Sequence, residues 1–234
     1  MDRPIDCLVC GAELQYRDTS VPMSCSYCGS EHQSTVDCSE GHFICDSCHS
    51  LSAIDLIQTY CLNSDSIDVF GMADMLMNNP AFHMHGPEHH FLVPAVLLTA
   101  YYNIIGHQEE KEQKLAEARK RAFRVPGGFC GTHGSCGAGI GTGMYISLIL
   151  ESTPLAQEEW GLSNRMTAQS LATLGRVGGP RCCKRTTFLS LNEAVAFTEE
   201  HLHTDLGRMI GKRCSHHELN RECIGRKCPF FPRE

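Results

Sequence analysis

The pattern of apolar and polar positions divides the chain into a polar beginning, a long helical part and a polar end. Residues 1–49 consist of short segments without helical periodicity. From residue 50 onward, apolar residues recur with the three- and four-residue spacing of amphipathic helices, as in IDLIQTYCL. Residues 212–234 lose this periodicity again. We therefore predict a mainly α protein, with a small module over 1–49 and a helical domain over 50–234 that ends in a cysteine-rich segment.

Capping residues and helix breakers place the first helices. Ser52, with Asp55 three residues later, predicts a helix start before IDLIQTYCL. Ser66 predicts a second start, and Pro80 ends that helix. Residues 92–105 are apolar on nearly every side, which indicates a central helix.

The remaining helices follow from charge order and glycine positions. Residues 108–123 run from acidic to basic, which suits the helix dipole and predicts an exposed helix. A glycine-led helix is expected to end near Glu151, and another to cover 163–177. Ser190 and Glu193 form a capping-box pattern that predicts the start of the last helix.

Bulk composition indicates a globular protein without a membrane segment. The chain has 234 residues, of which 42% are hydrophobic and 20% are charged. Residues 92–105 are too short to span a bilayer and contain Pro94 and Asn103. The start MDRPIDCLVC lacks the pattern of a secretory signal, so we predict a cytoplasmic location. A net charge of −7 argues against a nucleic-acid partner.

Cysteine is the unusual component, with 15 residues, accompanied by 13 histidines. Without a secretory signal, repeated C-x2-C pairs favour metal thiolates over disulfides. Cys61 lies in the apolar pattern IDLIQTYCL and is expected to be a buried core thiol.

The N-terminal module carries zinc-ligand spacing. Two C-x2-C knuckles are followed by a run that supplies four further ligands. The predicted ligands are Cys7, Cys10, Cys25, Cys28, Cys38, His42, Cys45 and Cys48. They can pair in sequence order or alternately, as in cross-braced fingers. We predict two structural zinc ions in a zinc-ribbon or treble-clef-like module. The alternative is iron at the second site, where His49 could act as a ligand. The final C-x2-C of a RING finger is missing.

The stretch FHMHGPEHHF, residues 82–91, contains four histidines and Glu88. His83 and His90 are candidate metal ligands, and His85 and His89 are candidate general bases. A helix N-terminus would keep such rings neutral, as a ligand or base requires. The alternative is a surface loop that caps a helix.

The stretch GFCGTHGSCGAGIGTG, residues 128–143, combines thiols, an imidazole and alternating glycines. It lacks the spacing and the preceding strand of a dinucleotide site. Gly137 and Gly139 suggest a helix N-terminus close to an anionic group, or close helix packing. A thiol at such a helix end is more acidic. We predict Cys130 as a nucleophile, His133 as a base and Cys136 as a cofactor ligand.

Five further cysteines, Cys182, Cys183, Cys214, Cys223 and Cys228, predict an iron–sulfur site. The tail spacing C-x8-C-x4-C-P is typical of iron–sulfur ligation. With Cys130 and Cys136, seven cysteines follow residue 129. They can hold one [4Fe–4S] cluster and leave a catalytic thiol, or two clusters with a non-cysteine ligand. A zinc knuckle in the tail that uses His216 or His217 is the alternative.

The motifs CLVCG, CSYCG, CSEGHFICDSCH, HMHGPEHH, GGFCGTHGSCGAGIG, GGPRCCKR and NRECIGRKCPFFP together resemble an uncharacterised cysteine-rich family found chiefly in anaerobic archaea and bacteria. The resemblance covers nearly the whole chain. It implies an anaerobic cytoplasm and no particular activity. The order of the glycine-rich helix and GGPRCCK is faintly similar to iron–sulfur serine dehydratases and cysteine desulfidases, which suggests a reaction class but no catalytic residues.

Two functions are consistent with these patterns. The first is an enzyme that transfers or removes sulfur, or that uses a cluster as a Lewis acid in lyase-type chemistry, on a small thiol or sulfur-containing substrate. The second is a non-catalytic, zinc-stapled adaptor or delivery protein that docks on a partner enzyme.

Overall fold

The computed structural model describes residues 7–233, and their fold begins with a small β-hairpin. Strand β1 (Leu14–Ser24) pairs antiparallel with β2 (Glu31–Cys38), so that Leu14 lies opposite Cys38. A bulge between Tyr16 and Val21 interrupts the register. A short helix, α1 (Asp46–His49), completes the module.

Helices dominate the described chain from residue 53 to residue 202, which confirms the mainly α prediction. They are α2 (Ala53–Asn63), α3 (Val69–Asn78), α4 (Glu88–Ile105), α5 (Gln108–Ala122), α6 (Phe129–Thr132), α7 (Gly137–Ile149), α8 (Glu158–Val177) and α9 (Cys183–Leu202), followed by a 3₁₀ turn (Gly225–Lys227) in the tail. No helix in residues 7–233 is long and apolar enough to cross a membrane.

Helix α4 is the centre of the fold. It packs against α2, α3, α5, α7 and α9, and its side chains from Glu88 to Ala100 are all buried. This agrees with the apolar pattern of 92–105. The helix begins four residues earlier than predicted, at Glu88, so His89 and His90 lie in its first turn.

Glycines of α7 let its backbone approach α4 and α8. A Cβ atom added to Gly141 would lie 2.9 Å from Pro94 Cδ on α4. One added to Gly143 would lie 2.8 Å from the Ser163 carbonyl oxygen on α8. Contacts below about 3 Å leave no room for a methyl group, so these glycines serve close helix packing.

Two predicted helix starts are wrong. Helix α9 begins at Cys183 rather than at Ser190, and Ser190 is fully buried inside the helix. Burial of this helix face outweighs the local capping-box pattern. Helix α3 is capped by Asp68, whose carboxylate accepts hydrogen bonds from the Phe70 and Gly71 N–H groups, rather than by Ser66. The predicted cap at Ser52 is confirmed, since its hydroxyl accepts from the Asp55 N–H.

The N-terminal module packs on the helical part through Tyr27. Its ring meets Tyr60 of α2 edge to face, with 6.3 Å between centroids. The Tyr27 hydroxyl accepts a hydrogen bond from Asn79 Nδ2 at 3.3 Å. Buried residues of the module and the helices thus form one continuous core.

Candidate metal centres

The N-terminal module contains two four-ligand groups, each able to hold one metal ion. Within each group the ligand atoms all lie within 4.8 Å of one another. The first group is Cys7, Cys10, Cys38 and His42, and the second is Cys25, Cys28, Cys45 and Cys48. The predicted ligands are therefore all brought together, and the pairing is the alternate, cross-braced one.

The hairpin explains this pairing. The Cys7–Cys10 knuckle precedes β1 and Cys38 ends β2, so both lie at the open end of the hairpin. The Cys25–Cys28 knuckle forms the turn at the other end. After Gly41 the chain returns to this turn, where Phe43 bridges Cys25. Alternate pairing follows because the strands separate the two knuckles.

Local backbone geometry orients these thiols as metal ligands. Gly11 and Gly29, which follow the knuckles, have φ of 75° and 71°, in the left-handed region that glycine accepts. Backbone N–H groups donate to sulfur, from Val9 to Cys7 Sγ at 3.4 Å and from Cys45 to Cys25 Sγ at 3.4 Å. Such donors stabilise negative charge on a thiolate.

The thiols of one group cannot all ionise without a cation. Burial raises the pKa of Cys10 to about 11 and also raises the pKa of Cys48. Burial acts in the same direction on Cys28, but hydrogen bonds from Ser30 and from neighbouring thiols outweigh it and lower its pKa to about 6. Metal binding must therefore displace protons from the more basic thiols.

A second kind of site lies where the start of α9 meets the tail. Four cysteines line one cavity there: Cys182, Cys214, Cys223 and Cys228. We call this cavity the four-thiol pocket. Phe188, Phe230 and Met84 contribute apolar walls. The four residues come from two segments that are far apart in sequence, so the fold assembles the pocket.

Hydrogen bonds to sulfur recur in the four-thiol pocket. The His216 N–H donates to Cys214 Sγ at 3.3 Å, and the Gly225 N–H donates to Cys223 Sγ at 3.4 Å. The backbone of Arg185 makes the equivalent bond to Cys182. Burial raises the pKa values of Cys182 and Cys214. These bonds repeat the arrangement of the N-terminal groups.

Buried cations surround the four-thiol pocket. Lys184 is only 2% exposed, and its ammonium donates to the Met77 carbonyl oxygen at 2.9 Å. Burial lowers the pKa of Lys184 to about 8. Arg185 is also buried, and Lys212 pairs with Asp74. The positive charges next to the thiols can offset the charge of bound thiolates.

The thiols of the four-thiol pocket are more widely spaced than those of the N-terminal groups. Among residues 7–233, no third set of three or more cysteine, histidine or carboxylate ligand atoms comes within 4.8 Å. A tetrahedral zinc ion with Zn–S bonds of about 2.3 Å holds neighbouring sulfurs about 3.8 Å apart. The pocket thus differs in geometry from a single-ion site.

A further group of thiols is associated with the histidine stretch. Cys183 is partly buried, and its sulfur accepts a hydrogen bond from the Gly86 backbone. Burial raises the pKa of Cys183 to about 11, with smaller contributions from the nearby thiols of Cys136 and Cys130. We call Cys130, Cys136, Cys183, His89 and His90 together the thiol–histidine group.

The two histidines of this group have their rings fixed by backbone carbonyls. His89 Nδ1 lies 3.0 Å from the Gly86 oxygen, and His90 Nδ1 lies 3.1 Å from the Val125 oxygen. Each Nδ1 must donate to its carbonyl, which leaves Nε2 as the basic atom. His89 Nε2 is buried without a hydrogen-bond partner in the described part of the chain. Burial lowers the pKa of His89 to about 3, so burial, rather than the expected helix terminus, keeps this ring neutral.

The histidines of residues 83–90 do not share one site. The His83 side chain is 79% exposed, and its Nδ1 contacts the buried Glu88 carboxylate at 3.3 Å. His85 faces the tail, with Nε2 3.2 Å from Glu222 Oε2. Only His89 and His90 belong to the thiol–histidine group.

Cys130 lies in the short helix α6, and His133 is the residue that ends it, before α7 begins. His133 is exposed, stacks on Phe129 with 4.2 Å between ring centroids, and contacts the Thr132 hydroxyl. Cys130 is exposed as well. Gly137 lies against the His90 ring, whereas Gly139 faces Leu171 of α8. Gly137 therefore contacts the thiol–histidine group, whereas Gly139 serves the packing of α7 against α8.

The buried cations were not predicted as part of the site. Lys184 and Arg185 follow Cys183 directly, so the sequence signal was the run CCKR. That run places two positive charges in the first turn of α9, where they reach the core beside the pocket.

A family model matches residues 57–231, and its description is a family of unknown function, DUF5714. The matched region contains both the four-thiol pocket and the thiol–histidine group, and it leaves out the N-terminal ligand groups. No curated protein and no solved structure matches this chain. Because the match covers about three quarters of the chain, this protein belongs to DUF5714, a family of unknown function.

Proposed function

We propose that this protein is a cytoplasmic metalloprotein with two structural zinc ions in its N-terminal groups and a [4Fe–4S] cluster in the four-thiol pocket. Its proposed activity is the transfer or removal of sulfur from a small thiol or sulfur-containing substrate. The observation that carries the proposal is the convergence of four cysteines from distant segments on one cavity with buried cations.

The donor set of the pocket fits an iron–sulfur cluster. Cysteine thiolates are the usual ligands of such clusters, and backbone donors to sulfur tune them. A cluster spaces its ligands more widely than one ion does, because each thiolate binds a different iron. The ligand atoms are more widely spaced in the four-thiol pocket than in the N-terminal groups, and this difference supports the assignment.

The ligand count bears on the reaction class. A bound [4Fe–4S] cluster supplies electrons, or a Lewis-acidic iron where one iron lacks a protein ligand. Four cysteines would give every iron of a cluster a ligand, so a cluster in this pocket would supply electrons rather than Lewis-acid activation of a substrate. The reacting groups are then expected next to the pocket rather than on it.

The thiol–histidine group is the proposed place of reaction. Cys183 directly follows Cys182 of the pocket. The Gly86 backbone bonds both the Cys183 sulfur and the His89 ring, which places a neutral imidazole near a partly buried thiol. With its pKa lowered to about 3, His89 is too weak a base to take a thiol proton, and its Nε2 would instead accept a hydrogen bond from the substrate.

The test uses protein purified without oxygen and a panel of small thiols and hydroxy acids. We expect sulfide release or sulfur transfer from one substrate class, which also perturbs the visible spectrum. Replacement of Cys214 by serine should remove the iron and the turnover. The control is Cys61→Ala, which should keep both, because Cys61 is a buried residue of α2 outside every thiol group. Iron that stays bound in Cys214→Ser would contradict the proposal.

A delivery function is the second candidate, and one observation favours it. The cross-braced module lies outside the family match, as an added docking element would. A delivery protein should hand iron or sulfide to an apo-acceptor protein in one stoichiometric event. An enzyme should keep its cluster through many turnovers, so the retained iron after turnover distinguishes the two functions.

A further inference from the structure

We infer that a second cavity, beside Glu88, binds an organic ammonium ion with an apolar body, and that the Glu88 carboxylate is the counter-ion of this ligand. The cavity lies between the N-termini of α2 and α4 and the C-terminus of α5. We call it the Glu88 cavity. This inference goes beyond the proposed function and does not depend on a cluster in the four-thiol pocket.

The Glu88 cavity has the size and the walls of a small-molecule site. Its volume is about 470 Å³. Pockets that bind small molecules commonly measure about 300–1,000 Å³ and have mostly apolar walls with a few polar groups. Apolar side chains line most of this cavity, among them Ile54, Phe91, Ala122 and Val125. The ligand therefore needs an apolar part.

Glu88 places a carboxylate with one open oxygen at the wall of the cavity. The Glu88 side chain is only 5% exposed. Its Oε1 accepts a hydrogen bond from the His83 N–H at 2.8 Å and lies 3.3 Å from His83 Nδ1. Its Oε2 accepts no hydrogen bond from residues 7–233. A buried carboxylate oxygen without a donor is unfavourable, so a donor on a ligand would stabilise it.

The charge around Glu88 favours a cationic ligand. Within the described chain, no lysine or arginine nitrogen lies within 4.0 Å of its carboxylate, which meets only the imidazoles of His83 and His89. Lys184 interacts with Glu88 from beyond this distance and does not line the cavity. A buried carboxylate is stable when a cation in contact offsets its charge. An ammonium group in the cavity would be that cation.

Two contacts hold the walls of the cavity in place without a ligand. Asp55 of α2 accepts a hydrogen bond from Arg119 Nη2 of α5 at 2.6 Å. This contact also balances the charge of Arg119, which lines the cavity. His90 of α4 donates from Nδ1 to the Val125 oxygen at 3.1 Å and so fixes the segment after α5. A cavity that is already formed costs a ligand less free energy of ordering.

Aromatic side chains on the walls suit the same ligand. Phe91 and Phe123 both line the cavity. Phe91 is fully buried, whereas Phe123 is 67% exposed and belongs to the rim. Aromatic rings attract ammonium ions through their negative faces. A carboxylate combined with aromatic surface therefore selects a cation with an apolar body over an anion of the same shape.

Isothermal titration calorimetry on the full chain, purified without oxygen, tests the inference with three probes. Hexylammonium chloride, hexan-1-ol and sodium hexanoate have the same alkyl chain and differ in charge. We expect hexylammonium to bind about tenfold more tightly than hexan-1-ol, because it adds a charge-assisted hydrogen bond to Glu88. Hexanoate should bind most weakly, because its charge repels that carboxylate.

Three variants locate the binding. Glu88→Gln keeps the Oε1 acceptor for the His83 N–H and removes the charge, so it should weaken hexylammonium about tenfold and leave hexan-1-ol unchanged. Glu112→Gln, at an exposed position of α5, makes the same change in net charge and should bind as the wild type does. Ala81→Leu fills part of the cavity without changing its charge and should weaken all three probes. This variant keeps the test decisive if Glu88→Gln does not fold.

Several results would overturn the inference. They are equal affinity of the wild type for hexylammonium and hexan-1-ol, tightest binding of hexanoate, no binding of any probe, and unchanged hexylammonium affinity in Glu88→Gln or in Ala81→Leu. Cys214 does not line this cavity, so Cys214→Ser should bind hexylammonium as the wild type does. Its iron content therefore tests the proposed function alone.

Discussion

Cys182 and Cys183 are adjacent in the chain, but their thiols belong to different groups. Cys182 is the N-cap of α9 with extended backbone, φ −149° and ψ 102°, and it lines the four-thiol pocket. Cys183 is the first helical residue, and its sulfur is bonded by Gly86 in the thiol–histidine group. The change from extended to helical backbone turns the two side chains apart. One dipeptide therefore links both groups.

The separation of these thiols gives the first prediction. Cys182→Ser should remove the proposed cluster from the four-thiol pocket, because it deletes one of its four proposed ligands. Cys183→Ser should leave that cluster in place, because its thiol faces away from the pocket. Iron content and the low-temperature electron paramagnetic resonance spectrum of the reduced protein measure this. Loss of the same signal in both variants would contradict the division of the pair.

Zinc pairing gives the second prediction. Cys10 and His42 belong to one group, so the double variant Cys10→Ser, His42→Ala should keep about one zinc per chain. Cys10 and Cys25 belong to different groups, so Cys10→Ser, Cys25→Ser should lose both ions. Native mass spectrometry counts the bound zinc. If the ions paired in sequence order, the results for the two double variants would be exchanged.

The close packing of α7 gives the third prediction. In Gly143→Ala the new methyl group would lie 2.8 Å from the Ser163 carbonyl oxygen, a backbone atom that cannot move aside. We expect a loss of about 1–3 kcal/mol in the free energy of unfolding. Gly175 of α8 has open space around it, and Gly175→Ala should gain about 0.5–1 kcal/mol. Urea denaturation measures both, and equal effects in the two variants would show that the helices are not in contact there.

Buried charge gives the fourth prediction. Lys184 is buried beside the four-thiol pocket, and its ammonium has no carboxylate within ion-pair distance among the described residues. Lys184→Met should lower the reduction potential of the cluster in that pocket, because a nearby positive charge favours the reduced state. Lys212→Met should have a smaller effect, since Asp74 already balances Lys212. Redox titration under anaerobic conditions measures the potential, and a larger shift for Lys212→Met would contradict this charge assignment.

The metal ligands of the N-terminal module could be predicted because their signal is local. Each C-x2-C knuckle specifies its own geometry, and glycine at the next position allows the left-handed backbone. The pairing of the knuckles could not be predicted, because it depends on which end of the β-hairpin each one occupies. That information lies in strand pairing between residues far apart in sequence.

In the helical part, too, local patterns could be predicted from the sequence and long-range contacts could not. Central burial of α4 follows from its continuous apolar pattern, and the Ser52 cap follows from residues three apart. The start of α9 was misplaced because Ser190 and Glu193 imitate a cap, whereas tertiary burial of Ser190 continues the helix through them. Because α9 starts at Cys183, the thiols of the adjacent residues Cys182 and Cys183 point in different directions. The helix start at Glu88 divides the histidines of residues 83–90 between the preceding loop and the first turn of α4, and the sequence pattern did not indicate this division.

The most direct test of this account is the metal and acid-labile sulfide content of the wild-type chain, purified without oxygen and recorded with its visible spectrum. We predict about two zinc together with iron and sulfide in equal amounts, and a brown protein with broad thiolate-to-iron absorption. A colourless protein that contains about three zinc and no iron would contradict the cluster assignment.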